Sequence, residues 1–597
     1  MKKYIYFFVV GAVCLLLSAT AYAEDLNNSD ANIIGHVLEK SSQEHLPYIT
    51  VSLKGTTIGT MTDATGHYFL KNLPEGDFIL QVSAVGYKAQ SRKVTLKRGK
   101  TLEENFELEE DLIALDGVVV TANRSETTRR MAPTLVNVMD FKLFENTNSA
   151  TLSQGLNFQP GVRVETNCQN CGFQQVRING LDGPYTQILI DSRPIFSALA
   201  GVYGLEQIPA NMIERVEVMR GGGSALFGSS AIAGTINIIT KEPLRNSGQL
   251  SHTITGVGGT SSWDNSTTMN ASLVTDNSKA GLYIFGQNRE RSGYDSDGDG
   301  FTELPKLKNQ TVGFRSFLKT SAYSKLTFEY HHLQEFRRGG DLLNRPPHEA
   351  NIAEQLRHSI NSGGLKFDYF SPDEKHRLSV YASAQHIGRD SYYGGNQDLN
   401  AYGATKDFTW VAGSQYIYHF DRCLFMPSDL TGGVEYNQDN LKDDMWGYNR
   451  YTNQKVHIAG AFFQNEWRNR QWSILLGGRL DKHNLINHVI FSPRANIRFN
   501  PVENVNLRAS YSVGFRAPQA FDEDLHIENV GGTISMIELA DNLKEEKSQS
   551  FSVSADVYHR WGAFQGNFLL EGFYTNLSDV FALREIGVRD GTIINER

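Results

Sequence analysis

Beyond its first two dozen residues the chain has no run of about 18 apolar side chains, so no helix of that stretch can satisfy its backbone across a bilayer. Membrane passage, if the chain makes one, falls to strands. Cysteine is scarce, at 4 in 597 residues, and Cys14 lies in a leader, which leaves Cys168, Cys171 and Cys423. A single C-x-x-C gives too few ligands for a complete zinc site. Basic residues are outnumbered, with Lys+Arg 57 against Asp+Glu 66 and a formal net charge of -9, so nothing here attracts nucleic acid regardless of its sequence. No nucleophile with an adjacent base, H-E-x-x-H helix or phosphate-binding G-K-[ST] loop is found, and the chain does not read as an enzyme.

What is present is glycine and aromatic side chains. Gly 54, Tyr 25 and Phe 33 against 16 Pro and 40% hydrophobic residues suit many short strands joined by polar turns, and the length calls for several domains or one very large barrel. Met1-Lys2-Lys3, an apolar block from Tyr4 to Leu17 and Ala21-Tyr22-Ala23 make residues 1–23 a secretory signal peptide, so the mature chain is exported.

Residues 31–109 carry short alternating segments: Ile33 to Val37, Ile49 to Leu53 and Phe78 to Val82. Thr62-Asp63-Ala64-Thr65-Gly66 supplies turn chemistry between them, and Asp63 reads as a turn former rather than an acid catalyst. Together these features resemble the carboxypeptidase regulatory-like domain, which implies a transthyretin-like β-sandwich without peptidase chemistry. Residues 110–123 come next as a linker. In it Asp116-Gly117-Val118-Val119-Val120-Thr121-Ala122 is a β-branched run beside an acidic stretch, suited to adding a strand to another protein's sheet edge or to an ordinary core strand.

The segment from Arg220 to Lys241, R-G-G-G-S-A-L-F-G-S-S-A-I-A-G-T-I-N-I-I-T-K, places turn-permitting glycines before an alternating strand. With Gln187 to Pro194 and Ile213 to Met219 upstream, it closely resembles the end of the plug domain of TonB-dependent outer-membrane receptors. That resemblance implies an all-β dominated architecture: the N-terminal sandwich, an α+β plug at 124–241 and a transmembrane antiparallel β-barrel at 248–597. It also implies that Asp116 to Ala122 is the TonB box, that the energy-transducing TonB complex of the inner membrane is a partner, and that outer-membrane lipid surrounds the barrel. Leu326, Phe328 and Tyr330 alternating with Thr327 and Glu329 fit a lipid face and a polar lumen. Roughly fifteen such strands precede Arg597, whereas the family barrel has about twenty-two, so the expectation is a barrel shortened at its C-terminus.

The resemblance places ligand contacts on the apical plug loops, at Asn167, Cys168, Gln169, Asn170 and Cys171 and at Phe196 and Tyr203. His526, between Phe515-Arg516-Ala517-Pro518 and the later Asp541 to Glu546, sits where a haem-ligating histidine would. For Cys168 and Cys171 a local disulfide, contact with a soft metal or chelate, and a redox pair stay open. Asp295, Asp297, Asp299 and Glu303 surround Gly298 and Gly300 like the first half of a calcium loop, but Lys306 stands where an EF-hand needs Glu. The alternatives are Ca2+ ordering an outer loop, as in cobalamin receptors, and a solvated acidic loop. The expected function is import of a scarce chelate such as cobalamin, a ferric siderophore or haem, with a surface lipoprotein as a further partner; a non-transporting adhesin or a polysaccharide receptor is the alternative.

Overall fold

A computed structural model describes residues 29–84, 87–110, 118–168, 172–194, 200–259, 261–275, 277–520, 525, 528–530, 533–540, 543–561, 564–589 and 592–597. The signal peptide, Asp116, Gly117, Gln169, Asn170, Cys171, Phe196 and His526 lie outside the described residues.

The N-terminal unit is two four-stranded sheets. Ala31–Glu39 pairs antiparallel with His67–Leu73 and parallel with Thr101–Glu103 and Phe106–Leu108. The second sheet runs Gly59–Met61, Thr50–Leu53, Gly76–Ser83, Gln90–Leu96. Period-two alternation sends Ile33 and Val37 from one sheet and Val51, Leu80 and Val82 from the other into a shared core, all 0% exposed. Each fully buried aliphatic side chain of this kind contributes about 1.5–3 kcal/mol. Asp63 makes the expected turn, its Oδ1 accepting from the amides of Thr65 and His67 at 2.8 and 3.0 Å.

The middle unit is built on a four-stranded sheet ordered Val136–Asp140, Ile213–Arg220, Gly234–Thr240, Thr186–Ile190, the last pair parallel. Short helices at Phe141–Asn146, Leu152–Leu156, Ala200–Gln207 and Ser224–Phe227 cover it. The glycine-rich segment acts as a reversal: Gly221 and Gly228 sit at φ 82 and 79, and the chain then enters a strand buried along almost its whole length.

Around this unit curves a 15-stranded antiparallel sheet from Ser247–Val257 to Phe564–Ser578, each strand paired to the next. Among the described residues its first and last strands do not pair with one another. Its outer face carries exposed Val312, Phe328, Tyr330, Leu365, Val380, Val434, Phe463, Leu476, Phe551 and Val553, as a lipid-facing band requires. Its inner face is polar and grips the middle unit from many sides: the Tyr283 hydroxyl donates to Asn211 O at 2.6 Å, Arg193 Nη1 to Ser383 Oγ at 3.0 Å, and Arg479 Nη1 to Leu226 O at 3.2 Å. The plug therefore fills the lumen. Glu528–Val530, Thr533–Glu538, Thr592–Glu596 and Arg584–Arg589 form a separate four-stranded sheet instead of continuing the barrel.

The two ends of the barrel differ. At one, short turns meet the N-terminal sandwich: the Thr57 amide donates to Ala322 O at 2.8 Å, and the Arg245 guanidinium lies 3.7 Å from the Tyr48 ring centroid. At the other lie the longer connections 292–305, 341–351 and 517–545. In the last of these, Ala520 and Leu525 pack on Leu333, Ile360, Ile387 and Leu441 of the barrel strands.

Candidate coupling segment and ligand-facing surface

Residues 118–124 leave the sandwich and thread between plug and wall. Val118–Val119 pairs antiparallel with Thr127–Thr128, and Val119 and Ala122 are fully buried among Val136, Leu189, Met219, Leu226 and Phe227. The carboxylate of Glu217, itself 0% exposed, anchors the next two residues. Its Oε2 accepts from the amides of Val120 and Thr121 at 2.8 and 2.9 Å and from the Thr121 hydroxyl at 2.7 Å; its Oε1 accepts from Arg215 Nε at 2.9 Å. Asn237, the cross-strand partner of Glu217, donates to Thr121 Oγ1 at 3.0 Å. Next come bonds to the wall. Ala122 O accepts from both terminal nitrogens of Arg494 at 3.2 Å, Asn123 Nδ2 donates to Glu466 at 2.6 Å, and Gln415 Nε2 donates to Arg124 O at 2.9 Å. The Arg124 guanidinium lies between the Phe227 and Phe462 rings, at 4.9 and 4.5 Å. The backbone donors a strand-adding partner would need at Val120 and Thr121 are thus already committed, and reaching them requires unseating the segment.

On the opposite end, the hairpin Val162–Cys168 with Phe173–Ile178 rises from the plug. Just past its tip Gly172 O accepts from Arg337 Nη1 at 3.3 Å, and a Cβ at Gly172 would lie 2.9 Å from Pro305. Tyr203 lies in the helix Ala200–Gln207, whose Glu206 is enclosed by three guanidiniums of the wall, Arg337 at 2.7 Å, Arg289 at 3.1 Å and Arg291 at 3.4 Å. Burial alone would raise the Glu206 pKa, but the Arg337, Arg291 and Arg289 charges outweigh it and hold the carboxyl at about 2. Gln207 Nε2 adds a bond to Glu335 at 3.0 Å.

Pro305 ends the acidic connection between Ala280–Arg291 and Lys306–Ser321. Here Asp295, Asp297, Asp299 and Glu303 each bring one carboxylate oxygen within 4.8 Å of the others. The loop folds on itself: Asp295 accepts from the amides of Gly298 and Gly300 at 2.7 and 2.9 Å, Asp299 from Phe301 at 2.8 Å, and Glu303 from the Ser296 amide. Gly298 and Gly300 take φ 80 and 91, which permits so tight a bend. Four oxygen donors at this spacing suit a hard cation of the Ca2+ type.

The fold therefore brings the four acidic residues together and sets their loop beside the apical hairpin. Sequence reasoning missed Glu217, Glu206 and the arginines around them. A signal existed for Glu217, a charge between Val216 and Val218 in a strand otherwise apolar at its centre.

Comparison with known proteins bears on all three units. The chain matches the family models for the TonB dependent receptor-like beta-barrel over residues 243–595, the TonB-dependent receptor plug domain over 128–235 and the CarboxypepD_reg-like domain over 33–120. It is 25% identical over 456 residues to the vitamin B12 transporter BtuB of Vibrio vulnificus, covering 74% of this chain and 68% of that protein. It is 24% identical over 464 residues to BtuB of Photobacterium profundum, with the same 74% and 68%. Among solved structures, the siderophore receptor PirA from Acinetobacter baumannii superimposes with a TM-score of 0.66 at 18% identity, over 78% of this chain and 76% of PirA, which shows a shared fold. With a plug-filled barrel of this kind and a barrel match across more than half of its length, the chain belongs to the TonB-dependent receptors of the outer membrane.

Proposed function

We propose that this receptor imports a large, scarce metal chelate, with cobalamin as the first ligand to test and ferric siderophores and haem as rivals. The observation that carries the reading is the coupling segment, stowed at Val118 to Arg124 between plug and wall and tied to the plug sheet through Glu217. A passive pore needs no such segment. The outer membrane holds no usable ion gradient, so concentrating a solute across it requires work delivered from elsewhere. A pull by TonB on Asp116 to Ala122 would act on the strand that carries Glu217, and through it on the plug.

On the ligand side, the acidic loop lies against the apical hairpin, where Ca2+ would neutralise four crowded carboxylates and stiffen the surface a chelate meets. The vitamin B12 transporters among the relatives favour cobalamin. The test is binding of cobalamin, haem and ferric siderophores to the purified receptor, with and without Ca2+, beside uptake by cells carrying the receptor with residues 116–122 deleted. Deletion should abolish accumulation and spare surface binding. Undiminished accumulation would exclude TonB-driven import and leave a passive barrel.

A further inference from the structure

We propose that His36, His45 and His67 of the N-terminal sandwich form a binding site for a first-row divalent metal ion, Zn2+ or Cu2+. The site is independent of the import reading and stands outside the barrel lumen. These are the only histidines between residues 24 and 120, and all of them fall in one cluster. His36 and His67 are direct cross-strand partners on Ala31–Glu39 and His67–Leu73, and His45 is carried over them by the turn that bridges back to Leu38. The ring centroids are 5.3 Å apart for His36 and His45, 5.8 Å for His36 and His67, and 4.9 Å for His45 and His67. Imidazoles sharing one tetrahedral ion through bonds of about 2.0–2.1 Å have centroids roughly 5 Å apart, so these rings have the spacing of a shared site, and rotation of the side chains about χ1 and χ2 is what would bring one nitrogen of each to a common centre.

A second observation points the same way. The Thr65 hydroxyl donates to Asp63 Oδ1 at 2.7 Å and lies 3.1 Å from His67 Nδ1. Its one proton is committed to the carboxylate, so it must accept from His67, which fixes the proton on Nδ1 and leaves the Nε2 lone pair for a ligand. Metal-bound histidines are oriented by a hydrogen bond from the ring nitrogen that does not bind the ion, usually to a carboxylate, carbonyl or water; here the Thr65 hydroxyl held by Asp63 takes that place. Gly66, at φ 76, lets the turn approach: a Cβ there would stand 2.8 Å from His45 Cβ. His45 and His67 are exposed, so an ion and the water that completes its shell have free access. Imidazole donors select Zn2+, Cu2+ or Ni2+ over Ca2+, which separates this site from the acidic loop.

The test uses the full-length receptor in detergent, titrated calorimetrically with Zn2+ in excess Ca2+, and separately with Co2+ followed by visible absorption. Wild type should bind one Zn2+ more than the His36→Ala/His45→Ala/His67→Ala variant, and only wild type should show the intense absorption of tetrahedral Co2+. Thr65→Val, which keeps all three imidazoles, should weaken Zn2+ about 10-fold or more by releasing the His67 tautomer. Equal Zn2+ stoichiometry and affinity in wild type and the triple variant, or no Zn2+ bound by the folded wild type, would overturn the proposal.

Discussion

Glu217 holds Thr121 twice, through the amide at 2.9 Å and the hydroxyl at 2.7 Å, both on one carboxylate oxygen that no solvent reaches. Because the same oxygen also accepts from the Val120 amide, a single side chain satisfies three donors of the coupling segment. Glu217→Ala strands those donors, at about 1–3 kcal/mol for a buried group left unpaired. The segment should loosen while the barrel stays intact. A nitroxide at Val118, half-buried in the wild type, should give a sharper spectrum in Glu217→Ala, and chelate binding should persist. An unchanged spectrum would show that apolar packing of Val119 and Ala122 alone retains the segment.

The acidic loop gives a second expectation. Without a cation, four carboxylates within 4.8 Å repel one another; with Ca2+ they close around it. Limited proteolysis between residues 292 and 305 should slow on adding Ca2+ and recover with chelator. Asp297→Asn/Asp299→Asn should raise the Ca2+ needed for protection by about 10-fold or more, by lowering ligand charge. Cleavage indifferent to Ca2+ would make this a solvated loop.

Glu206 couples the apical helix to the wall, and its titration sets a sign. Its folded pKa, at about 2, is below the ordinary value of 4.5, so its contribution is complete above 4.5 and is lost as pH falls toward 2. Glu206→Gln leaves Arg289 with Asp264 and Arg337 with Glu335, but removes the charge that all three arginines share. Breaking a buried pair of this kind costs about 3–5 kcal/mol. Thermal unfolding should show a lowered midpoint at neutral pH and a flatter acid limb than wild type, and a variant as stable and as acid-sensitive as wild type would rule out the coupling.

The three-part architecture was legible because its signals are local. Alternation at Leu326 to Glu329 marks a two-faced strand, and the glycines from 221 to 234 mark a reversal into a buried one. The acidic loop was legible for the same reason, since its donors and the glycines that bend it lie within nine residues, from Asp295 to Glu303. The latch was not. Glu217 meets Thr121 across 96 positions, and Arg289 meets Glu206 across 83, so neither partner predicts the other without the fold. The histidine triad lies between these cases: His36 and His67 are paired by register, which a hairpin reading could reach, but His45 enters through a turn whose path alternation does not encode.

Among the described residues, the sandwich meets the barrel turns at Thr57 and Tyr48, with Gly55 set against Glu374. Thr57 gives its amide to Ala322 O at 2.8 Å and its hydroxyl to Ser321 O at 3.1 Å, and Tyr48 stacks under Arg245. Thr57→Pro removes both donors, and Tyr48→Ala removes a stacking worth about 0.5–1 kcal/mol at an exposed site. Neither change touches the sandwich core of Val51, Leu80 and Val82. Their combination should therefore free an intact domain rather than unfold it. Hydrogen exchange should rise at residues 321–323 while protection in Gly76–Ser83 is retained. Exchange at the wild-type rate in residues 321–323 would mean that the domain is held elsewhere.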